Sequence, residues 1–342
     1  MDITPSASAP GARVVTVLRS GRTPLLLAPM ATLSHAGLRV LTEEFGGCDL
    51  YFSEMISAEA MIGGTSYERY YTIPDPDPDR LIYQLVGYSE DAIVEAASRL
   101  AGIPAVGVDI NMGCSAPHIV RRGGGVAWMS DPERAARLVG KVRAAVGAKS
   151  LSVKVRLGAT DDPDALVHFC RGLEQGGIDF LTLHPKSRKE GSSRPARWSY
   201  VRLLREELTV PVVGNGGITG HDTLEARRAL AGDGPVMIGR AAARAPWIFA
   251  YLKARMNGVD DPWRVDLARV SRRFFELLER YQPVDFLPTR AARFAAYLTG
   301  NLAFGHSLGA RLGQSRSYPH IKSELLAYFD AHPDAALHVE RG

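Results

Sequence analysis

Apolar residues in the first two thirds of the chain come in short runs, with polar residues gathered at their ends. The runs are LLLAPM (25–30), DLYFSEM (49–55), LIYQLV (81–86), AVGVDIN (105–111), LSVKVRL (151–157), DFLTLH (179–184), PVVGN (211–215) and PVMIG (235–239). Several are apolar at successive positions, the mark of strands buried on both faces. Segments with apolar residues at helical spacing lie between them, so the alternation predicts parallel strands wrapped by helices. Eight such strands fit a closed (β/α)8 TIM barrel. Helix boundaries are also legible. Asp131-Pro132-Glu133 offers a cap and a first-turn proline before ERAARLVGKVRAAV, and Gly147 offers a stop.

After Arg255 the alternation ceases. WRVDLARVSRRFFELLERY, TRAARFAAYLTGNLAF and IKSELLAYF carry apolar residues three and four apart, punctuated by Pro283, Pro288 and Pro319. The pattern predicts a disordered leader over 1–20, a catalytic barrel over 21–255 and a C-terminal helical domain over 256–342. No apolar run approaches the length of a membrane span, and the leader lacks the apolar centre of a signal peptide, so a cytoplasmic protein is expected.

Composition narrows the chemistry only modestly. The chain has 342 residues, 46% of them hydrophobic and 23% charged, with a formal net charge of +4, which permits a polyanionic partner without requiring one. Cys48, Cys114 and Cys170 are widely spaced and form no CxxC pair, which gives no support to a disulfide framework or a zinc site; no metal is expected. Cys48 and Cys170 sit in helical contexts and read as small buried apolar residues.

In a (β/α)8 barrel, catalytic groups lie at the C-terminal ends of the strands. There the sequence places Ala28-Pro29-Met30, Ser53-Glu54-Met55, Gln84, Asn111 with Cys114 just beyond, Lys154 with Arg156, His184, Asn215-Gly216-Gly217 and Gly239-Arg240. Each glycine motif alone reads equally as a tight turn. Found together after strands seven and eight, where barrels commonly bind phosphate, GNGGI and GRAA point to a bound phosphate, with Arg240 adding positive charge. Lys154 places a charge inside an apolar strand, which needs a partner such as an anionic flavin. His184, taken by itself, also fits a satisfied core histidine. Cys114 lies in NMGCSAPHIVRRGGGVAWM, a glycine-rich loop that reads as too polar and flexible for a core segment and so puts the thiol near the pocket.

The ordered set LAPM, SEM, QLVG, DINMGC, VKVRLG, LHPKSR, GNGGI and IGRAA resembles the tRNA-dihydrouridine synthases over roughly residues 25 to 250. The resemblance implies FMN in the barrel mouth, NADPH as reductant, and a helical tail that helps hold tRNA. It implies hydride delivery to C6 of a uracil ring, with Cys114, as a thiol, protonating C5. Pro29, Met30, Gln84, Lys154, His184, Asn215, Gly216, Gly217, Gly239 and Arg240 map onto flavin-contacting positions. Asn111 would orient the uracil or flavin edge. An extruded uridine also needs its backbone held, for which Arg121, Arg122, Lys186 and Arg188 are candidates, with Lys189, Arg194 and Arg197 in the same loop. The sequence departs from the family in Ser115-Ala116-Pro117-His118, where proline usually follows the cysteine directly. It departs again in His184-Pro185-Lys186 and in Gly217, where histidine-x-arginine and an acidic residue are usual. An FMN-dependent reductase of a small molecule, a free pyrimidine or an enone, is the alternative on the same barrel. A non-catalytic RNA-binding relative would have no need to retain both Cys114 and the flavin contacts.

Overall fold

A computed structural model of the chain describes residues 9–158, 161–187, 190 and 194–340. All eight apolar runs form strands: β1 (Leu25–Leu27), β2 (Leu50–Ser57), β3 (Leu81–Val86), β4 (Gly107–Met112), β5 (Ser150–Val155), β6 (Phe180–Leu183), β7 (Val212–Asn215) and β8 (Val236–Ile238). They pair in parallel and in sequence order. β1 also pairs with β8, with Leu26 opposite Met237, which closes the barrel. The fold is a (β/α)8 TIM barrel with a helical C-terminal region.

The connecting helices form where caps and apolar faces coincide. Asp131 accepts the Arg134 N–H at 2.9 Å and Asp162 that of Ala165 at 3.1 Å, each with proline in the first turn. Gly147 ends the first of these helices at φ +58°. Ala135, Leu138, Val139, Val142 and Val146 bury that helix's inner face. Burying each of the larger aliphatic side chains is worth about 1.5–3 kcal/mol.

The barrel interior has an apolar floor and a polar top. Leu26, Leu50, Phe52, Ile82, Val106, Phe180, Val213 and Met237 pack together in the lower part, with Phe52 and Phe180 meeting edge to face at 6.4 Å. Val14 and Leu18 belong to the same cluster, because Pro10–Leu18 is a helix. The expectation of a disordered leader over 1–20 therefore fails from Pro10 onward. Gly11, Val14 and Leu18 are spaced three and four apart and seat the helix under the barrel, where the Gly11 N–H donates to Ala148 O at 3.0 Å.

The helices Leu267–Tyr281, Leu287–Leu298, His306–Gln314 and Tyr318–Ala331 make up the C-terminal region. The Phe274 and Phe294 rings stack at 3.6 Å in its core, and the first helix packs on the barrel helix Ala36–Glu44. One part differs from the helical expectation. Trp263–Asp266 is a strand, β9, paired antiparallel with β10 (Leu337–Glu340) near the end of the chain. Glu340 anchors β10 by accepting from Trp247 Nε1 at 3.1 Å. No helix among the described residues is long and apolar enough to cross a membrane.

Candidate active site

A cavity of about 420 Å³ opens at the C-terminal ends of the strands, a size suited to a small-molecule ligand. Twelve of the sixteen predicted site residues line it: Pro29, Met30, Asn111, Cys114, Lys154, His184, Lys186, Asn215, Gly216, Gly217, Gly239 and Arg240. Met55, Arg156 and Arg194 join them.

Two glycines after β7 make room for a ligand. Gly216 and Gly217 have φ of +119° and +74°, which side chains other than glycine rarely adopt. A Cβ on Gly216 would lie 2.9 Å from the His184 ring, and one on Gly217 would lie 2.9 Å from the Arg227 guanidinium. Asn215, also on the cavity wall, donates through Nδ2 to Met237 O at 2.8 Å and so ties β7 to β8.

The charges around the cavity are of one sign. Lys154, Arg156, Lys186 and Arg240 converge on it, and no carboxylate lies within ion-pair distance of Lys154 among the described residues. Burial, then Arg156, pushes the Lys154 ammonium down to about 8. The same surroundings keep His184 a neutral imidazole: burial, then Lys154, Arg156, Lys186 and Arg240, push it down to about 2. A cluster of partly desolvated cations beside a glycine cradle is matched by an anionic ligand with phosphate oxygens and an electron-rich ring edge. The residues present therefore fit an anionic, phosphate-bearing ligand such as a flavin.

Cys114 is held by its backbone. Its N–H donates to Asn111 Oδ1 at 2.8 Å, and its carbonyl accepts from Val126 N at 2.9 Å. Gly125 packs so closely that a Cβ there would lie 2.4 Å from the Cys114 carbonyl oxygen. The loop beyond is anchored by Trp128, buried and donating through Nε1 to Gly87 O at 2.9 Å, under the Arg134 guanidinium. The sequence reading of this loop as too polar and flexible for a core segment is corrected here, since Val126 and Trp128 are core residues.

Beneath Asn111 runs a buried polar chain. Asn111 Nδ2 donates to Gln84 Oε1 at 2.9 Å, Gln84 Nε2 donates to Asp109 Oδ2 at 2.7 Å, and Ser152 Oγ donates to Asp109 Oδ1 at 2.6 Å. Burial raises the Asp109 carboxyl to about 6, against the hydrogen bonds from Ser152 and Gln84 and the charge of Lys154. Gln84, expected on the flavin, is fully buried and does not line the cavity; it supports Asn111 instead. Asn111 in turn orients the cysteine loop.

The basic residues expected at the substrate divide. Lys186 is buried against the cavity, with its N–H donating to His184 O at 2.7 Å. Arg121 and Arg122 follow the short helix Pro117–Val120 on the exposed rim, and Arg122 lies over the Tyr88 ring. Arg197 is engaged by Asp161 and Glu190, so it belongs to the loop's own structure. Arg188 and Lys189 lie outside the described residues. Glu54, one of the strand-end residues, forms a buried ion pair with Arg290 that nothing in the sequence predicts.

Comparison with known proteins gives the same direction. The family model described as Dihydrouridine synthase (Dus) matches residues 26–304. The chain is 31% identical over 242 residues to a "tRNA-dihydrouridine(16) synthase" of Ralstonia nicotianae, covering 68% of this chain and 73% of that protein. It is 34% identical over 244 residues to a "Probable tRNA-dihydrouridine synthase" of Rhodobacter capsulatus, covering 70% and 74%. It is 30% identical over 283 residues to a protein of the same name from Rickettsia conorii, covering 81% and 84%. With the barrel, the glycine cradle and the cysteine loop in place, the match over most of the chain shows that it belongs to the dihydrouridine synthase family and is a flavin-dependent oxidoreductase.

Proposed function

We propose that this protein reduces the C5–C6 double bond of a uridine in tRNA to 5,6-dihydrouridine, with FMN as its flavin and NADPH as the reductant. The observation that carries the reading is the placement of Cys114 on the wall of the cavity that also holds Gly216, Gly217, Lys154 and Arg240. A proton donor and a flavin cradle thus share one enclosed space, and the relatives named above act on the same class of substrate by name.

Gly216, Gly217, Gly239 and Arg240 would hold the phosphate, with Pro29, Met30, Lys154, His184 and Asn215 around the ring system. When bound, the flavin supplies the hydride that C6 of the uracil receives. The protein supplies the proton: Cys114 Sγ–H donates to C5, completing addition across the double bond. Asn111 keeps the cysteine backbone in place, and the neutral His184 contributes a hydrogen-bonding edge without charge. Lys154 offsets negative charge on the ligand in a partly desolvated site, where an ammonium acts more strongly than in water.

A uridine in folded RNA reaches such a pocket only after extrusion, so the flanking phosphates need cations at the rim. Lys186 and Arg194 line the cavity, and Arg121 and Arg122 are exposed nearby in the cysteine loop. Arg188 belongs to this proposal by sequence alone. The barrel, 21–255, would carry the chemistry and the helical region, 256–342, would bear on the RNA, in the cytoplasm where tRNA is modified. Arg293 and Arg316 on that region are exposed and take part in no ion pair among the described residues.

Incubating the purified protein with FMN, NADPH and unmodified tRNA tests the reading. NADPH oxidation should match dihydrouridine formed, counted by mass spectrometry, and should weaken steeply with salt. Oxidation of NADPH by a free pyrimidine or an enone, with tRNA unchanged, would favour the small-molecule reading.

A further inference from the structure

The buried carboxylate of Glu54 joins the loop after β1 to the helical C-terminal region. One oxygen accepts the Thr32 N–H at 2.5 Å, and the other accepts from Arg290 Nη2 at 2.6 Å. Thr32 belongs to the loop after β1, whose Ala28, Pro29 and Met30 line the cavity. Arg290 belongs to the helix Leu287–Leu298 of the C-terminal region. Both charged side chains are 3% exposed, so neither is screened by solvent.

Glu54 reaches this position because β2 is irregular. Phe52 pairs with Ile82 but Met55 pairs with Gln84, three steps on one strand against two on the other. The bulge breaks the simple alternation of faces, as bulges beside active sites do, and lets adjacent residues serve different masters. Met55 lines the cavity, with its sulfur 3.2 Å from Asn111 Nδ2, while Glu54 meets Arg290.

The loop on the other side is held in a form it would not adopt freely. Thr32 has φ of +66°, a region that non-glycine residues enter rarely. Its N–H donates to Glu54, alongside the Leu33 and Ser34 N–H groups on Met30 O. Around it, the Met30 N–H donates to Ser34 Oγ at 2.8 Å, and Arg39 Nη1 donates to Ser34 O at 2.8 Å. Arg290 is itself over-determined: Nε donates to Gln282 Oε1 at 2.8 Å, and the guanidinium lies 4.5 Å from the Phe286 ring centre.

We propose that Glu54 is a positioning residue that couples the helical region to the cavity loop, so that docking of tRNA on the helical region tightens the hold of the Met30 loop on the flavin. The coupling rests on the flavin and tRNA reading given above. Linkage is reciprocal: whatever tRNA does to flavin affinity, flavin does to tRNA affinity by the same factor.

The test is equilibrium binding of FMN to flavin-stripped full-length protein, followed by fluorescence, with and without saturating unmodified tRNA. FMN should bind about fivefold tighter with tRNA present, within the usual range of coupling between sites. The neutral pair Glu54→Gln with Arg290→Met removes both members of the ion pair together, and in it the effect of tRNA should fall below twofold while each ligand still binds. Glu54→Gln by itself, whose amide oxygen can still accept from Thr32, should lose the coupling as well. A native protein that binds both ligands with no mutual effect would overturn the coupling alone, and so would a double variant that keeps the fivefold effect. A native protein that binds no FMN or no tRNA would overturn the functional reading and the coupling with it.

Discussion

Asn111 Oδ1 accepts the backbone N–H of Cys114 at 2.8 Å, while its Nδ2 donates to Gln84 Oε1 at 2.9 Å. One side chain at the end of β4 thus ties the cysteine loop to a polar chain running down into the barrel. The loop's far end is fixed separately, by Trp128 on Gly87 and by the Val126 N–H on the Cys114 carbonyl.

Removing Asn111 should loosen only the near end. Asn111→Ala leaves the Gly113 and Cys114 N–H groups and the Gln84 carbonyl without their partner, at a cost of about 1–3 kcal/mol for a buried polar group left unmade. Flavin content should be retained. Dihydrouridine formation should fall about 10- to 100-fold, because a donor displaced by an ångström loses that much. Steady-state assay of the flavin-loaded variant, with absorbance at the flavin band, separates the two effects.

Lys154 gives a prediction with a definite sign. Burial depresses its ammonium to about 8, so the folded protein releases this proton before an unfolded chain would. The charged, buried form is a penalty on the fold below pH 8, and the penalty is relieved as pH rises from about 8 towards the ordinary lysine value. Binding an anion restores the proton, so flavin affinity should fall above pH 8, by about tenfold at pH 9, where each pH unit past the pKa is a factor of ten. Lys154→Met should bind FMN weakly and show no such break. Fluorescence titration from pH 7 to 9.5 measures both.

Much of this site is readable from the chain itself, and the reason is geometric. Strands buried on both faces leave uninterrupted apolar runs, and the barrel puts the polar residue ending each run at the mouth. His184 and Asn215 follow that rule, and both line the cavity. The rule cannot say how far a side chain stands from the rim. Gln84 follows the same pattern yet lies one layer down, on Asp109 and Asn111. Arg197 looks like part of an RNA-facing charge run, but its partner Asp161 is 36 residues away. Long separations hide other features. β9 finds β10 across the whole helical region, and Glu54 meets Arg290 over 236 residues. The helix Pro10–Leu18 was missed for a different reason: nine residues with three inward positions carry too little periodicity to stand out from a small-residue leader.

The glycine cradle can be filled directly. Gly216→Ala puts a Cβ 2.9 Å from the His184 ring at a φ of +119°, which strains the backbone and closes the space for a ligand. The variant should fold, with stability reduced by more than about 1 kcal/mol, and should purify with less than a tenth of the native flavin. Thermal melting with flavin quantitation by absorbance checks the pair; full flavin content would show that the phosphate binds elsewhere.

Dihydrouridine itself is the most direct readout of the proposed reaction. Mass-spectrometric counting of dihydrouridine at each position of tRNA from cells lacking this gene should show the loss of a site. Native protein with NADPH should restore it. Cys114→Ala should hold flavin and have it reduced at the native rate, yet make product at least 100-fold more slowly, the usual contribution of a positioned proton donor. A full complement of dihydrouridine in the gene's absence, or a Cys114→Ala protein that restores the site at the native rate, would contradict it.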